Sequence, residues 1–307
     1  MKISRPVFTR WRAAAVIFFL VVLGGCAWLD AKQGEWIFNP VQGEWRGYRG
    51  LPEGATEQWI PVGKHDEKIH AWWAPAGRAD APVLLYLHGA RWNLTGSVTR
   101  IPRWNKMGFS VLAIDYRGFG QSAAKGSGAP TEASANEDVE AAWKQLATLA
   151  PNSKRYIFGH SLGGSMAISL ALKAPDVSGL ILEGAFTSVP DMISEMRWGF
   201  LPVKFLVSQR FDNIDRIDDV KVPLLIAHGT RDDIVPFSMG EKLFAAAKAP
   251  KRFFRAEGGS HHNLTASFFD EYRQAIVEHF GLASLGATAA LSAPAMSGTP
   301  SIGTASR

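Results

Sequence analysis

Arg155-Tyr156-Ile157-Phe158-Gly159-His160-Ser161-Leu162-Gly163-Gly164-Ser165 is an apolar run that ends in a Gly-x-Ser-x-Gly pattern. An alanine- and leucine-rich segment, 166–172, follows it. That order predicts a strand, a sharp turn with serine at its apex, and a helix. Such a turn brings the residues two before and two after its centre almost into contact, and Gly159 and Gly163 lack the Cβ atoms that would collide. Ser161 is therefore expected at the rim of a sheet, above the N-terminus of the next helix, as a nucleophile. A plain strand-to-helix turn is the competing reading of this motif taken alone.

The flanking chain supplies the sheet. Val83-Leu84-Leu85-Tyr86-Leu87 is continuously apolar, as expected of a strand covered on both faces. Further strands are expected at 109–114, 177–182, 222–227 and 252–255, with helices at 98–107, 132–149, 239–247 and 264–280. Residues 59–61 and 68–74 read as an antiparallel hairpin around Gly63-Lys64-His65-Asp66, with His65 and His70 at the surface. Strand–helix alternation of this kind predicts an α/β fold with a mostly parallel, doubly wound sheet. Its ligands belong beyond the carboxyl ends of the strands. Residues 186–220 interrupt the alternation and read as a small helical cap after the sixth strand. The folded domain is expected over 55–282, preceded by a linker and opening segment, 26–54. In that segment Trp36, Phe38, Trp45 and Tyr48 are expected to pack as an opening strand. From 283 onward the chain is Ala, Ser, Gly, Thr and Pro, a tail too poor in large apolar groups to fold.

The net charge of +5 misleads. Lys2, Arg5, Arg10 and Arg12 precede every acidic residue, and without the first 25 residues the charge is +1. The basic balance thus belongs to a targeting segment and gives no support to a nucleic-acid-binding surface. A positive flank followed by the apolar run 13–23 has the layout of a secretory signal. Leu23-Gly24-Gly25-Cys26 resembles the bacterial lipoprotein signal, in which Cys26 would carry the lipid; an uncleaved anchor over 13–29 is the rival. Either way the domain is expected to be tethered to a membrane on its extracytoplasmic side, periplasm-facing in a Gram-negative cell. With Cys26 the sole cysteine, an internal disulfide and a cysteine-rich metal site are excluded.

A serine hydroxyl is a weak nucleophile at neutral pH, so it needs a base in reach and a third group to orient that base. His228-Gly229-Thr230-Arg231-Asp232-Asp233 follows a buried strand and offers two competing acids, with Glu183 as a third. Gly258-Gly259-Ser260-His261-His262-Asn263 follows the last strand and offers two competing bases.

With His88-Gly89, Asp115-Tyr116-Arg117-Gly118-Phe119-Gly120-Gln121-Ser122, the serine turn, His228-Gly229-Thr230-Arg231-Asp232 and Gly259-Ser260-His261 in this order, the sequence resembles the α/β-hydrolases. It is similar in particular to the membrane-anchored, small-cap subgroup of serine-aminopeptidase-like and bud-emergence-type enzymes. The resemblance spans roughly residues 55–280. It implies Asp232 as the acid, His261 as the base, and the backbone N–H groups of Ala90 and Leu162 as the oxyanion donors. Relatives often carry asparagine where Ala90 stands. His88, His160, His228, Asp115 and Arg117 are implied to be structural.

These readings lead to a serine hydrolase acting on a carboxylic ester or thioester, a small-molecule acyl substrate, with no cofactor and no metal, as a monomer. Trp92, Trp198, Phe200 and Phe205 are expected to line an apolar acyl pocket, or else to glue the cap to the sheet. A peptidase or amidase of the same fold, and a catalytically idle binding protein, are the alternatives.

Overall fold

A computed structural model describes residues 6–63, 66–122, 129–196 and 206–282. The strands are β1 (Thr56–Pro61), β2 (Lys68–Ala74), β3 (Val83–Leu87), β4 (Ser110–Ile114), β5 (Arg155–His160), β6 (Val177–Glu183), β7 (Leu224–Gly229) and β8 (Lys251–Ala256). They form one sheet in the order β1-β2-β4-β3-β5-β6-β7-β8. The pairs β1/β2 and β2/β4 are antiparallel, and every other neighbouring pair is parallel. This is the doubly wound α/β architecture expected from the alternating pattern.

Period-two alternation divides the apolar strands between two cores. Leu85, Leu87, Leu112 and Ile157 face α3 (Glu132–Leu149), α4 (Leu162–Lys173) and α6 (Phe237–Ala246). Leu84, Tyr86, Val111 and Phe158 face α2 (Ile101–Lys106) and α8 (Phe269–Phe280). Both faces of β3 and β4 are thus covered, which is why both strands are buried at every position and, Ser110 apart, apolar throughout.

Three local expectations change. The helix expected over 98–107 is a 3₁₀ turn at Leu94–Ser97 followed by α2, with Pro102 in the first turn. Proline lacks the N–H that an interior position needs but costs nothing at a helix start. His70 is buried, its Nε2 3.1 Å from Glu57 Oε1, and is not a surface residue. In place of an opening strand, the chain before the hairpin is a helix, α1 (Pro6–Phe38), which holds Trp36 and Phe38, followed by turns that carry Trp45 and Tyr48. The helix ends at Asn39, whose φ of 42° is the left-handed conformation that stops helices, and Pro40 follows. Phe38 is fully buried, edge-on to Phe119 and Phe211.

After β6, the cap begins with α5 (Val189–Glu195), capped by the Ser188 hydroxyl accepting from the Asp191 N–H. Trp198, Phe200 and Phe205 lie outside the described residues. The chain returns through 206–220, where Asn213 donates to Ser165 Oγ on α4 and to the Phe186 carbonyl.

Candidate active site

β5 delivers Ser161 to its end with φ 53° and ψ −120°, a conformation that a residue with a side chain adopts only under constraint. A Cβ on Gly159 would strike the Gly163 backbone, and one on Gly163 would strike the Leu87 and His88 carbonyl oxygens. These two glycines let α4 start directly over the end of β3. The Ser161 N–H donates to the Glu183 carbonyl at 2.9 Å, pinning the turn to the end of β6. A Cβ on Gly89 would sit 3.1 Å from the Ser161 Cβ, so the His88-Gly89-Ala90 turn lies against the serine. Ala90 and Leu162 are therefore the immediate chain neighbours of that contact.

The loop after β7 brings Asp232 to the same lip with its side chain buried. Its Oδ1 accepts from the N–H groups of Ile234 and Val235 at 2.9 and 2.8 Å. Its Oδ2 lies 2.7 Å from His261 Nδ1 and 3.2 Å from His228 Nε2. Burial pushes this carboxyl up, but the hydrogen bonds from His228 and His261 outweigh it and hold Asp232 below the usual carboxylate range. Asp233 is exposed. Of the two adjacent histidines, His261 is buried on Asp232, whereas His262 is exposed and stacks on Trp92 with ring centres 5.2 Å apart.

The matches to known proteins agree with this fold. A family model described as serine aminopeptidase, S33, matches residues 78–214. Protein bem46 of Schizosaccharomyces pombe is 32% identical over 204 residues, 64% of this chain and 66% of that protein. The lysophosphatidylserine lipase ABHD12 of Rattus norvegicus is 30% identical over 209 residues, 61% of this chain and 50% of the lipase. A solved esterase of Pyrococcus furiosus superposes with a TM-score of 0.63 at 18% identity, covering 79% of this chain and 97% of the esterase. The chain belongs to the α/β-hydrolase family.

In this α/β hydrolase the residue before the serine is tied to the loop after β8. His160 Nε2 donates to the His261 carbonyl at 2.9 Å, and the two rings are 4.7 Å apart. Burial and the nearby charges of Arg100 and His261 hold His160 well below the ordinary histidine range, so its ring is neutral. One nitrogen from each of His160, His261 and His262 lies within 4.8 Å of the others. A divalent ion bound there would compete with any proton transfer through His261.

Glu183, one of the three acids the sequence offered, instead pairs with Arg100, and both side chains are buried. Its charge keeps Arg100 protonated against the cost of burial. Nothing in the linear sequence marks this pair, since 83 residues separate its members. The histidines and ions expected to be structural hold turns. His88 Nε2 is 3.3 Å from Asp115 Oδ1, Asp115 accepts from the Leu94 N–H, and Arg117 donates through its backbone and Nε to Asp138.

Trp92 sits between Trp45 and His262, its indole N–H donating to Ser97 Oγ at 3.0 Å. With Trp45, Arg103 and His262 it lines a cleft of about 320 Å³ at the lip. Cys26 falls inside α1, and its side chain lies outside the described residues.

Proposed function

We propose that this α/β hydrolase is a membrane-tethered serine hydrolase that cleaves a carboxylic ester or thioester through an acyl-enzyme. The observation that carries the reading is the 2.7 Å contact of His261 Nδ1 with a buried Asp232 carboxylate, at the lip where the backbone of Ser161 is constrained. With Nδ1 held on Asp232, the free Nε2 of His261 is the nitrogen that takes the Ser161 proton as Oγ attacks the carbonyl. Asp232 fixes the tautomer and stabilises the imidazolium. The N–H groups of Ala90 and Leu162 receive the oxyanion, each worth about 3–4 kcal/mol of barrier. His261 then protonates the leaving group and activates water for the second half-reaction. The reading needs no metal.

An ester is favoured over a peptide for two reasons. A relative at 30% identity is a lysophosphatidylserine lipase, and an aminopeptidase needs a free carboxylate to hold the substrate amine. Glu183, the buried acid beside the site, is already committed to Arg100. The tether is α1, which is long and apolar enough to cross a membrane and whose apolar part ends at Leu29, before Asp30. If the chain is processed as a lipoprotein, the lipid on Cys26 replaces the membrane-buried part.

A fluorophosphonate probe decides the chemistry. Labelling of wild-type protein that disappears in Ser161→Ala supports it, and no labelling of folded wild type overturns it. Comparing p-nitrophenyl esters of increasing chain length with aminoacyl amides then separates esterase from amidase.

A further inference from the structure

The end of α1 is built into the hydrolase fold at the cap. The Gln33 side chain donates to the Leu206 carbonyl at 3.0 Å and accepts from the N–H groups of Ser208 and Gln209 at 2.8 and 3.3 Å. Ser208 Oγ also donates to the Asp30 carboxylate. Gly34 packs so closely on the Pro130 carbonyl that a Cβ would overlap it, and the Phe38 carbonyl accepts from the Arg91 N–H at 3.0 Å. The returning edge of the cap is therefore fastened at residues 30–34 of a helix that continues without a break toward the membrane.

The distance along that helix sets the height of the cap. The apolar run ends at Leu29, and Gln33 lies four residues further on. At 1.5 Å per residue this is about 6 Å along the axis, and helix tilt only reduces it. The polar headgroup layer is itself about 5–8 Å thick on each side. The uncleaved helix therefore leaves the 206–209 edge inside that layer, whereas a lipid on Cys26, seven residues before Gln33, would hold it about 10 Å out. Exposed apolar side chains stand at this level among charged ones: Leu206 at the start of the cap's return and Trp28 and Trp36, which meet edge-on along α1, beside Asp30, Lys32 and Glu35. Tryptophan in such a position is typical of residues at the membrane interface.

We infer that the cap edge carrying Leu206 rests in the lipid leaflet that this protein's own helix enters, and that the acyl substrate reaches the lip from that leaflet rather than from water. The substrate class is then a membrane-partitioned acyl ester. The inference rests on the serine-hydrolase reading for its substrate, but its geometric half can be measured without activity.

In phosphatidylcholine vesicles, Leu206→Cys in a Cys26→Ser background, labelled with an environment-sensitive fluorophore, is expected to emit at blue-shifted wavelength. Lipids carrying a shallow doxyl group should quench it. A label at Glu278, which lies on α8 against the opposite face of the sheet, serves as the aqueous reference. Water-like, unquenched emission at position 206 overturns the placement. For the substrate, a ten-residue Gly/Ser insertion between Leu29 and Asp30 leaves the docked residues intact but frees the domain from the surface. Hydrolysis of a long-chain ester held in the vesicles should fall at least about fivefold, with hydrolysis of p-nitrophenyl acetate unchanged. Equal rates on the embedded ester before and after insertion overturn the route. Loss of fluorophosphonate labelling at Ser161 would instead indict the serine-hydrolase reading, while the quenching result stands by itself.

Discussion

His160 Nε2 donates to the main-chain carbonyl of His261 at 2.9 Å, so the residue before the proposed nucleophile holds the backbone of the proposed base. His160→Phe keeps the ring's shape and removes the bond. A buried hydrogen bond of this kind is worth about 1–3 kcal/mol, so kcat on p-nitrophenyl acetate is expected to fall about 10- to 100-fold with KM nearly constant. His160→Gln keeps a donor and should recover part of the loss. An unchanged kcat in the Phe variant would remove this positioning role.

Asp232 and Asp233 are adjacent in sequence but differ in surroundings. Asp232 is buried on His261 and Asp233 is exposed. Asp232→Asn should lower kcat by about 10⁴, the scale of losing the tautomer-fixing acid. Asp233→Asn should stay within about twofold of wild type. Single-turnover acylation rates, together with circular dichroism to establish folding, test the pair; the reverse ranking would move the acid to Asp233.

Acid should destabilise this protein through its histidines. Although His262 is exposed at one edge, the Trp92 and His160 rings cover the rest, and this partial desolvation with the charges of His261 and Arg100 lowers it to about 4. Full burial with the same charges holds His160 well below the ordinary range. The unfolded chain takes these protons near pH 6.5. Between about 6.5 and 4 it therefore binds protons that the folded state lacks, and stability falls as pH drops through that window. The urea midpoint should decline from pH 7 to 4.5, and His262→Gln should make the decline shallower. A midpoint that is flat over this range would contradict the assignment.

The Arg100–Glu183 pair lies under the lip, and the Glu183 carbonyl holds the Ser161 N–H. Removing one buried partner leaves an uncompensated charge, at a cost of about 3–5 kcal/mol. Arg100→Met and Glu183→Gln should each lower the melting temperature clearly. The double variant Arg100→Met/Glu183→Leu should regain most of it, because two apolar groups need no partner. Additive losses in the double variant would refute the pairing argument.

Much of the fold could be read from the chain because its strands announce themselves. The run Val83 to Leu87 is apolar throughout and is buried throughout. The turn at Ser161 was legible for a different reason: its glycines report a backbone shape, which is a local property. The rest depends on contacts between distant residues. His261 and His262 are neighbours of one type, and only the position of the β7 loop separates their roles. Arg100 and Glu183 are ordinary charges until β6 buries them together. Gln33 is an unremarkable polar residue whose partner lies 175 positions away, so the docking of α1 could not be foreseen. Pro102, by contrast, was in plain view: the helix was expected from 98, yet it begins at Ile101, one residue before the proline.

The fastening of α1 also determines where a water-soluble form of the enzyme can be cut. Trimming at the start of the hairpin, near residue 55, would remove Phe38 from between Phe119 and Phe211 and release the Arg91 N–H beside the lip. Emptying a site of that size costs about 3–5 kcal/mol, a large share of a typical domain's stability. A version beginning at Asp30 discards the greasy segment and retains every one of these anchoring points.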